Sequence, residues 1–228
     1  DVRTQLEGIP TKEPASGLDA YWINPSQSDF AKTAGYTIVD GATVIATHIN
    51  AILRDNASDL LGHDETREIL DKIAQRSPKL IDDLVPDKLS VSTIMQILKN
   101  ILFESIPIRD MNTIIDTLLL ESSRTQNPDE LTALVRPRLG RLMLQNLVPP
   151  GEELSVITLD PALEQMLIGS LQQSKQAGEL IIEPKLVEGL IASVNQQRLQ
   201  AEENGFPAVL VVAPPIRPWL ARLLKQRF

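Results

Sequence analysis

The stretch "ESIPIRDMNTIIDTLLLESS" at residues 104–123 decides how the middle of this chain folds, because a helix end and a helix start meet inside it. Pro107 has no backbone N–H to donate, so a helix that reaches it ends there. Asp110 then stands where the N-cap of a new helix belongs, since its carboxylate can accept N–H groups of the first turn. The apolar residues that follow have helical spacing: Met111, Ile114, Ile115, Leu118 and Leu119. The stretch therefore predicts two amphipathic helices joined by a sharp turn.

The pair Arg109 and Asp110 has two interpretations, one structural and one catalytic. A catalytic site would need further groups, and no His, Cys or second acid accompanies the pair. The structural interpretation is favoured: Asp110 caps the helix, and Arg109 pairs with a carboxylate or a carbonyl across the turn.

Helical periodicity continues on both sides of this turn. Upstream, Ser90 or Ser92 can cap a helix whose apolar face contains Ile94, Ile97, Leu98, Ile101 and Leu102. Downstream, Asn127 and Pro128 have the order of an N-cap and a first-turn proline. Pro137 is expected to kink the helix that they begin. The middle of the chain is predicted to be helical throughout.

The N-terminal part mixes short strands with helices. Within the Pro- and Gly-rich residues 1–25, "DAYWI" at 19–23 predicts a strand, and "SQSDFAKTAG" predicts a short helix that Gly35 ends. "YTIVD" at 36–40 is β-branched and predicts a second strand, which makes this opening βαβ-like. Apolar residues then recur at helical spacing up to Gly62, which is interpreted as the C-terminal stop of that helix.

The last third predicts a small α/β unit in the order βααβα. "LVPPGEE" at 147–153 is a linker, "LSVITLD" at 154–160 is a strand, and Pro161 begins a helix that runs to about Gln176. After another helix, "PAVLVV" is apolar throughout, so it predicts a central strand. "IRPWLARLLKQRF" is a final amphipathic helix. The fold class is therefore α+β with several subdomains: a small N-terminal α/β piece, a central helical subdomain and a C-terminal α/β subdomain.

Composition and motifs argue against an enzyme. The 228 residues contain no Cys, and their formal net charge is −8, which weakly disfavours a nucleic-acid partner. Nucleotide and nucleophile motifs (GxGxxG, GxxxxGK[ST], GxSxG) are absent. His48 and His63 are the only histidines and have no third donor at metal-binding spacing, so no metal and no cofactor are expected. The basic final helix, with Arg217, Arg222, Lys225 and Arg227, favours a solvated face over a membrane or an acidic partner.

Targeting and membrane signals are absent from the sequence. No apolar run approaches the roughly 20 residues that span a bilayer. The N-terminal "DVRTQLEGIP" lacks the basic and apolar regions of a signal peptide and begins in mid-pattern. The chain is therefore expected to be a fragment of a longer protein.

Six stretches in order along the chain resemble a known family. They are "EPASGLDAYWI", "GYTIVDGATVIATHI", "LLGHDETREILDKI", "PKLIDDLVP", "ILKNILFESIPIRDMNTIIDTL" and "DELTALVRPRLGR". Together they are similar to the cytoplasmic C-terminal domain of the type III secretion export-gate family, which includes flagellar FlhA and its virulence-type relative SctV. The sequence around residues 36–62 resembles the flagellar members of the family.

The resemblance implies an architecture. Residues 1–40 would be part of an inserted small α/β subdomain with an RRM- or ferredoxin-like fold. Residues 41–60 would be the returning segment of a thioredoxin-like subdomain, residues 61–140 a helical subdomain, and residues 141–228 an incomplete C-terminal α/β subdomain.

The resemblance also implies function, partners and location. The family's domain is the cytoplasmic part of a bacterial inner-membrane protein and forms a ring, a nonamer in the full-length protein. It docks export chaperones with their cargo and passes the cargo to the membrane channel. Other export-apparatus components, including the ATPase complex, are further expected partners.

Five residues match the family's chaperone-binding dimple by position. In the family's Asp-Pro-Ala-Phe-Gly-Leu motif, Glu13 takes the place of Asp, Pro14 matches Pro, Ser16 takes the place of Phe and Gly17 matches Gly. The Thr of the family's Ala-Thr-His motif corresponds to Thr47. Ser16 departs from the family because it replaces a Phe that supplies apolar contact. Ser16 could equally be a plain turn residue beside Gly17.

Three functions remain open on the sequence alone. A docking platform of a secretion gate is favoured over a helical scaffold or regulatory domain without a transport role. An enzyme with an unrecognised site is the third alternative and would need a cleft with several convergent polar groups.

Overall fold

The computed structural model describes residues 7–145, 147–149, 151–177 and 182–227, without the side chains of 174–177. The chain divides into two compact units, Asp1–Ile108 and Arg109–Phe228. The boundary lies in the turn that the sequence predicts between Pro107 and Asp110. The four subdomains implied by the resemblance stay a prediction.

The first unit begins with a β-hairpin. Strand β1 (Gly8–Lys12) pairs antiparallel with β2 (Asp19–Ile23), and Gly8 lies opposite Ile23. The stretch "DAYWI" predicts β2, whereas no sequence pattern predicts β1, because Gly8 and Pro10 are poor strand formers. A Cβ at Gly8 would lie 2.9 Å from the carbonyl oxygen of Trp22, so the close approach of the two strands requires glycine here.

Six helices follow the hairpin and a 3-10 turn at Pro25–Gln27. They are α1 (Ser28–Thr33), α2 (Gly41–Asp55), α3 (Ala57–Leu60), α4 (His63–Ala74), α5 (Pro78–Asp82) and α6 (Val91–Phe103). Ser90, one of the two predicted caps, accepts the Thr93 N–H at 3.1 Å and begins α6. Gly62 lies just after α3 and is also the N-cap of α4. Its N–H donates to the Glu65 carboxylate at 2.9 Å.

The strand predicted at 36–40 is wrong. These residues have no regular structure, and the segment leads directly into α2. Asp40 explains the outcome, because its Oδ1 accepts the Thr43 N–H at 2.7 Å and thereby caps α2. The N-terminal piece is consequently a hairpin followed by helices, and the βαβ order is not found.

The core of the first unit is built around α6. Helix α6 packs on α3 and α4. Four of its side chains are fully buried: Ile94, Ile97, Leu98 and Ile101. Helix α2 is the opposite case, since none of its residues is buried.

The second unit begins with three helices, α7 (Met111–Glu121), α8 (Pro128–Arg138) and α9 (Gly140–Gln145). Asn127 caps α8 by accepting the Asp129 N–H at 2.9 Å, and Pro128 follows it as predicted. Pro137 lies in the last turn of α8, so the helix expected to kink there divides into α8 and α9. Helices α7 and α8 pack on each other through Ile114, Ile115, Leu118, Leu131 and Val135.

The end of the chain has the predicted order βααβα. Its elements are β3 (Ile157–Thr158), α10 (Pro161–Ala177), α11 (Pro184–Glu203), β4 (Leu210–Val211) and α12 (Arg217–Lys225). The strands β3 and β4 pair in parallel. A buried apolar cluster lies in the helices and at the start of α12: Leu167, Leu190, Val194, Ile216 and Leu220. Within the described residues β4 has one strand partner, and Val211 is 49% exposed, so its predicted central position is not found.

The predicted linker at 147–153 falls partly outside the described residues, because Pro150 is not among them. Its hinge role stays a prediction. No helix in the described part of the chain is both long enough and apolar enough to cross a membrane.

Candidate partner-binding surface

The loop between β1 and β2 is a closed turn at residues 13–18. Its ends are tied by the Glu13 N–H, which donates to the Leu18 carbonyl at 2.8 Å. The Gly17 N–H donates to the Glu13 carbonyl at 2.8 Å, and Gly17 has φ +70°, a conformation that favours glycine. This backbone geometry leaves Pro14, Ser16 and Gly17 exposed at the tip of the hairpin.

The Glu13 side chain folds back over this turn. Its Oε2 accepts the Ser16 N–H at 2.6 Å, the Ser16 hydroxyl at 2.7 Å and the Ala15 N–H at 3.0 Å. These hydrogen bonds lower the pKa of Glu13, the Ser16 hydroxyl most strongly, because they favour the charged carboxylate. The Ser16 Oγ lies 3.4 Å from the Leu18 N–H, so Ser16 connects both halves of the turn.

Thr47 lies on α2, a helix whose start is fixed by the Asp40 cap. The pKa of Asp40 is lowered by the hydrogen bond from the Thr43 N–H. Thr47 is exposed, while the next residue, His48, is half-buried. The side chain of Thr47 is therefore open to solvent on a helix with a firmly placed N-terminus.

His48 on α2 makes the smallest contribution to the lowered pKa of Glu13, through its charge. His48 is considered from the sequence only as a metal-ligand candidate, and no sequence signal points to its effect on Glu13.

Arg109 and Asp110 lie elsewhere, at the start of α7. Asp110 Oδ1 accepts the Thr113 N–H at 3.3 Å, and its Oδ2 accepts the Thr113 hydroxyl at 2.8 Å. Arg109 is exposed, and its expected carboxylate or carbonyl partner is not found in the described residues. The geometry of Asp110 is that of an N-cap, and the structural role of the pair stays a prediction.

A second exposed feature of α2 is an apolar stripe, formed by Ile45, Ile49, Ile52 and Leu53. At 100° per residue, Thr47 lies roughly on the opposite side of the helix from Ile45. The stripe and the Thr47 position are thus two separate faces of one helix.

The described ranges contain no cluster of three or more His, Asp or Glu side chains that could hold a metal ion. A surface groove of about 260 Å³ lies between residues 155–157 and the end of α11, and none of its lining side chains is ionisable. In the basic helix α12, Arg222 forms an exposed ion pair of 3.5 Å with Asp129 of α8.

The comparisons with known proteins cover the whole chain. The model of the FHIPEP family matches residues 1–228. The flagellar biosynthesis protein FlhA of Salmonella typhimurium is 40% identical over 221 residues, which is 97% of this chain and 31% of that protein. The chain therefore spans about a third of the length of this curated relative.

Two solved structures have the same fold. The nonameric SctV-C of EPEC superposes with a TM-score of 0.77 at 24% identity, over 97% of this chain and 67% of that one. The Chlamydia pneumoniae complex of CdsV and CdsO superposes with a TM-score of 0.79 at 23% identity, over 99% of this chain and 65% of that one.

Proposed function

Because the chain belongs to the FHIPEP family, we propose that it is part of the cytoplasmic docking platform of a type III secretion export gate. In this role it binds export chaperones with their cargo and passes the cargo to the membrane channel. The observation that carries the proposal is the family match over residues 1–228, together with 40% identity to a flagellar biosynthesis protein. That relative favours a flagellar system.

Ring assembly is part of the proposal. The EPEC relative is nonameric, which supports a ring of nine copies for the longer protein to which this chain would belong. The complex of CdsV with CdsO supports binding of a further protein partner by such a ring. Components of the ATPase complex are partners of this proposed kind.

The proposed docking surface consists of the 13–18 turn and Thr47. Its support is the exposure of Pro14, Ser16 and Leu18 around the turn and of Thr47 on α2, together with the positional match of these residues to the family motif. Leu18 is 69% exposed and gives the surface an apolar element beside the Glu13 carboxylate. This combination fits an apolar segment of a partner that also offers a hydrogen-bond donor.

Calorimetric titration of the complete cytoplasmic domain with a chaperone–cargo complex tests this surface. Ser16→Phe is expected to tighten binding by roughly 1–2 kcal/mol, because a ring restores apolar contact area. Thr47→Ala is expected to weaken it. Ser193→Phe, at an exposed position on α11, is the matched control and should leave affinity unchanged.

If both variants bind as the wild type does, the turn and Thr47 are not the docking surface of this protein. If the wild-type domain binds no export chaperone and forms no ring, the scaffold alternative replaces the docking platform.

A further inference from the structure

Helix α11 ends at the one Asn-Gly pair of the sequence, Asn204–Gly205. The side-chain amide carbon of an Asn can be attacked by the backbone nitrogen of the residue that follows it. Glycine hinders this attack least, because it has no Cβ and adopts the widest range of backbone conformations. The pair therefore joins an electrophilic side-chain amide to the least hindered backbone nitrogen that a protein offers.

The structure leaves this pair accessible to solvent. Asn204 and Gly205 are both exposed, and Gly205 has φ +76°. A Cβ built on Gly205 would meet no other atom within 4 Å, so open space lies beside this part of the backbone. Water can therefore reach the pair without a rearrangement of the core.

The hydrogen bonds of the pair belong to the last turn of α11. The Asn204 side-chain Nδ2 donates to the Gln200 carbonyl at 2.8 Å, and the Gly205 N–H donates to the Glu202 carbonyl at 3.0 Å. The attack requires both bonds to open. A terminal helical turn opens at a low free-energy cost, because it can fray while the rest of the helix stays folded.

We propose that Asn204 is a site of non-enzymatic covalent modification in the folded chain, at which its side-chain amide is converted to a carboxylate. The Gly205 nitrogen forms a bond to Cγ of Asn204, the Cγ–Nδ2 bond breaks, and the proton of the Gly205 nitrogen leaves with Nδ2 as ammonia. Water then opens the resulting cyclic imide at either of its two carbonyls and gives Asp or isoaspartate. The net reaction consumes one water and releases one ammonia.

The modification changes the surface at the end of α11. A carboxylate cannot donate to the Gln200 carbonyl, and it adds a negative charge beside Glu202 and Glu203 at the negative end of the helix dipole. Asn204 also lines the groove of about 260 Å³, whose lining side chains are otherwise not ionisable. The conversion therefore gives that groove a charge, and this inference is independent of the proposed docking function.

Asn56 is a matched control within the same chain. It is exposed, it directly follows helix α2, and its Nδ2 donates to the Ile52 carbonyl at 2.8 Å, as the Nδ2 of Asn204 does to Gln200. The residue after Asn56 is Ala57, whose Cβ hinders the attack. A difference in rate between the two Asn residues therefore reports the glycine and not the hydrogen bond.

Incubation of the purified folded chain at mildly alkaline pH tests the proposal, because the attacking nitrogen must lose its proton. Trypsin then releases residues 55–67 and 199–222, each of which contains one Asn. Mass spectrometry measures the converted fraction of each peptide, and chromatography separates Asp from isoaspartate. Asn204 is expected to react at least about tenfold faster than Asn56 and to give both products. Ala57→Gly is expected to accelerate the reaction at Asn56.

The same chain unfolded in urea supplies the reference rate. The proposal is overturned if Asn204 keeps its amide in the folded chain over the period in which the unfolded chain converts it, because the last turn of α11 then protects it. Equal rates at Asn204 and Asn56 in the folded chain would overturn it as well. Formation of Asp without isoaspartate would exclude the cyclic imide and with it the attack by Gly205.

Discussion

Single residues with defined hydrogen bonds explain why individual elements begin where they do. Asp40, Ser90, Asp110 and Asn127 each accept an N–H group from the first turn of the helix that follows. All four are residue types that favour the N-cap position, because a short side chain with an oxygen can reach these N–H groups. At this scale the sequence is informative, and three of the four caps are predicted from residue type and spacing alone.

Asp110→Ala should lower the free energy of unfolding by about 1 kcal/mol, because the first turn of α7 loses its side-chain acceptor. Urea denaturation followed by circular dichroism measures the change. Asp116→Ala is the matched control, since Asp116 is exposed in the middle of the same helix. Equal losses in both variants, or an unchanged stability with loss of partner binding in Asp110→Ala, would contradict the structural role of Asp110.

The turn at residues 13–18 should respond to pH through Glu13. The pKa of Glu13 is lower in the folded chain than in the unfolded chain, where it is about 4.3. The contribution of the Glu13 carboxylate to stability is therefore fully present above the unfolded pKa. It is lost as the pH falls through the lower folded pKa. The Ala15 and Ser16 amide resonances should therefore stay constant from about pH 7 to pH 5 and shift together below about pH 4.

Glu13→Gln should abolish this transition, because an amide does not titrate in this range. Lys12, Asp19 and His48 are the other ionisable groups near the turn. A transition of the same size in Glu13→Gln would assign it to one of these groups.

The docking surface shows what residue patterns alone do not reveal. Position in a motif identifies Glu13, Ser16 and Thr47, but the motif does not show that the Ser16 hydroxyl donates to the Glu13 carboxylate. That hydrogen bond depends on the conformation of the closed turn, which residue type alone does not specify.

Helices and strands differ in how well the sequence predicts them. Helix α10 begins at Pro161 as predicted, because a proline is favoured in the first turn and an apolar periodicity of several turns follows it. The strand predicted at 36–40 is absent and β1 was missed, since short strands depend on pairing partners more than on their own residues. The β-branched residues before Asp40 lead into a helix instead.

Helices α2 and α6 should differ strongly in their sensitivity to substitution. Ile97→Ala in α6 should cost about 2–5 kcal/mol, because a fully buried side chain leaves a cavity in the core. Ile45→Ala in α2 should change stability by less than about 0.5 kcal/mol, because Ile45 is 62% exposed. Denaturant unfolding of the two variants measures the contrast, and similar losses would show that α2 packs on the core.

At the scale of the whole molecule, the apolar stripe on α2 exposes hydrophobic side chains to water, which is energetically unfavourable. Its four side chains lie on one helix face and none of them is buried. Exposed apolar surface of this kind promotes association between molecules. We expect the isolated chain to self-associate through the stripe as its concentration rises.

Ile49→Glu should raise the concentration at which light scattering detects this association. Leu199→Glu is the matched control, because Leu199 is also a half-exposed apolar residue on a helix but belongs to the other unit. An equal effect of both substitutions would assign the change to net charge and not to the stripe.

The parallel pairing of β3 with β4 has a consequence for how the chain is made. The hydrogen bond from the Ala213 N–H to Glu164, which ties the end of β4 to α10, joins residues 49 positions apart. The β1–β2 hairpin, in contrast, closes over a turn of a few residues and can form within microseconds of leaving the ribosome. At about 5–20 residues per second of synthesis, β3 waits on the order of seconds for β4 to appear. The nascent second unit therefore cannot complete its two-stranded sheet until β4 has been synthesised.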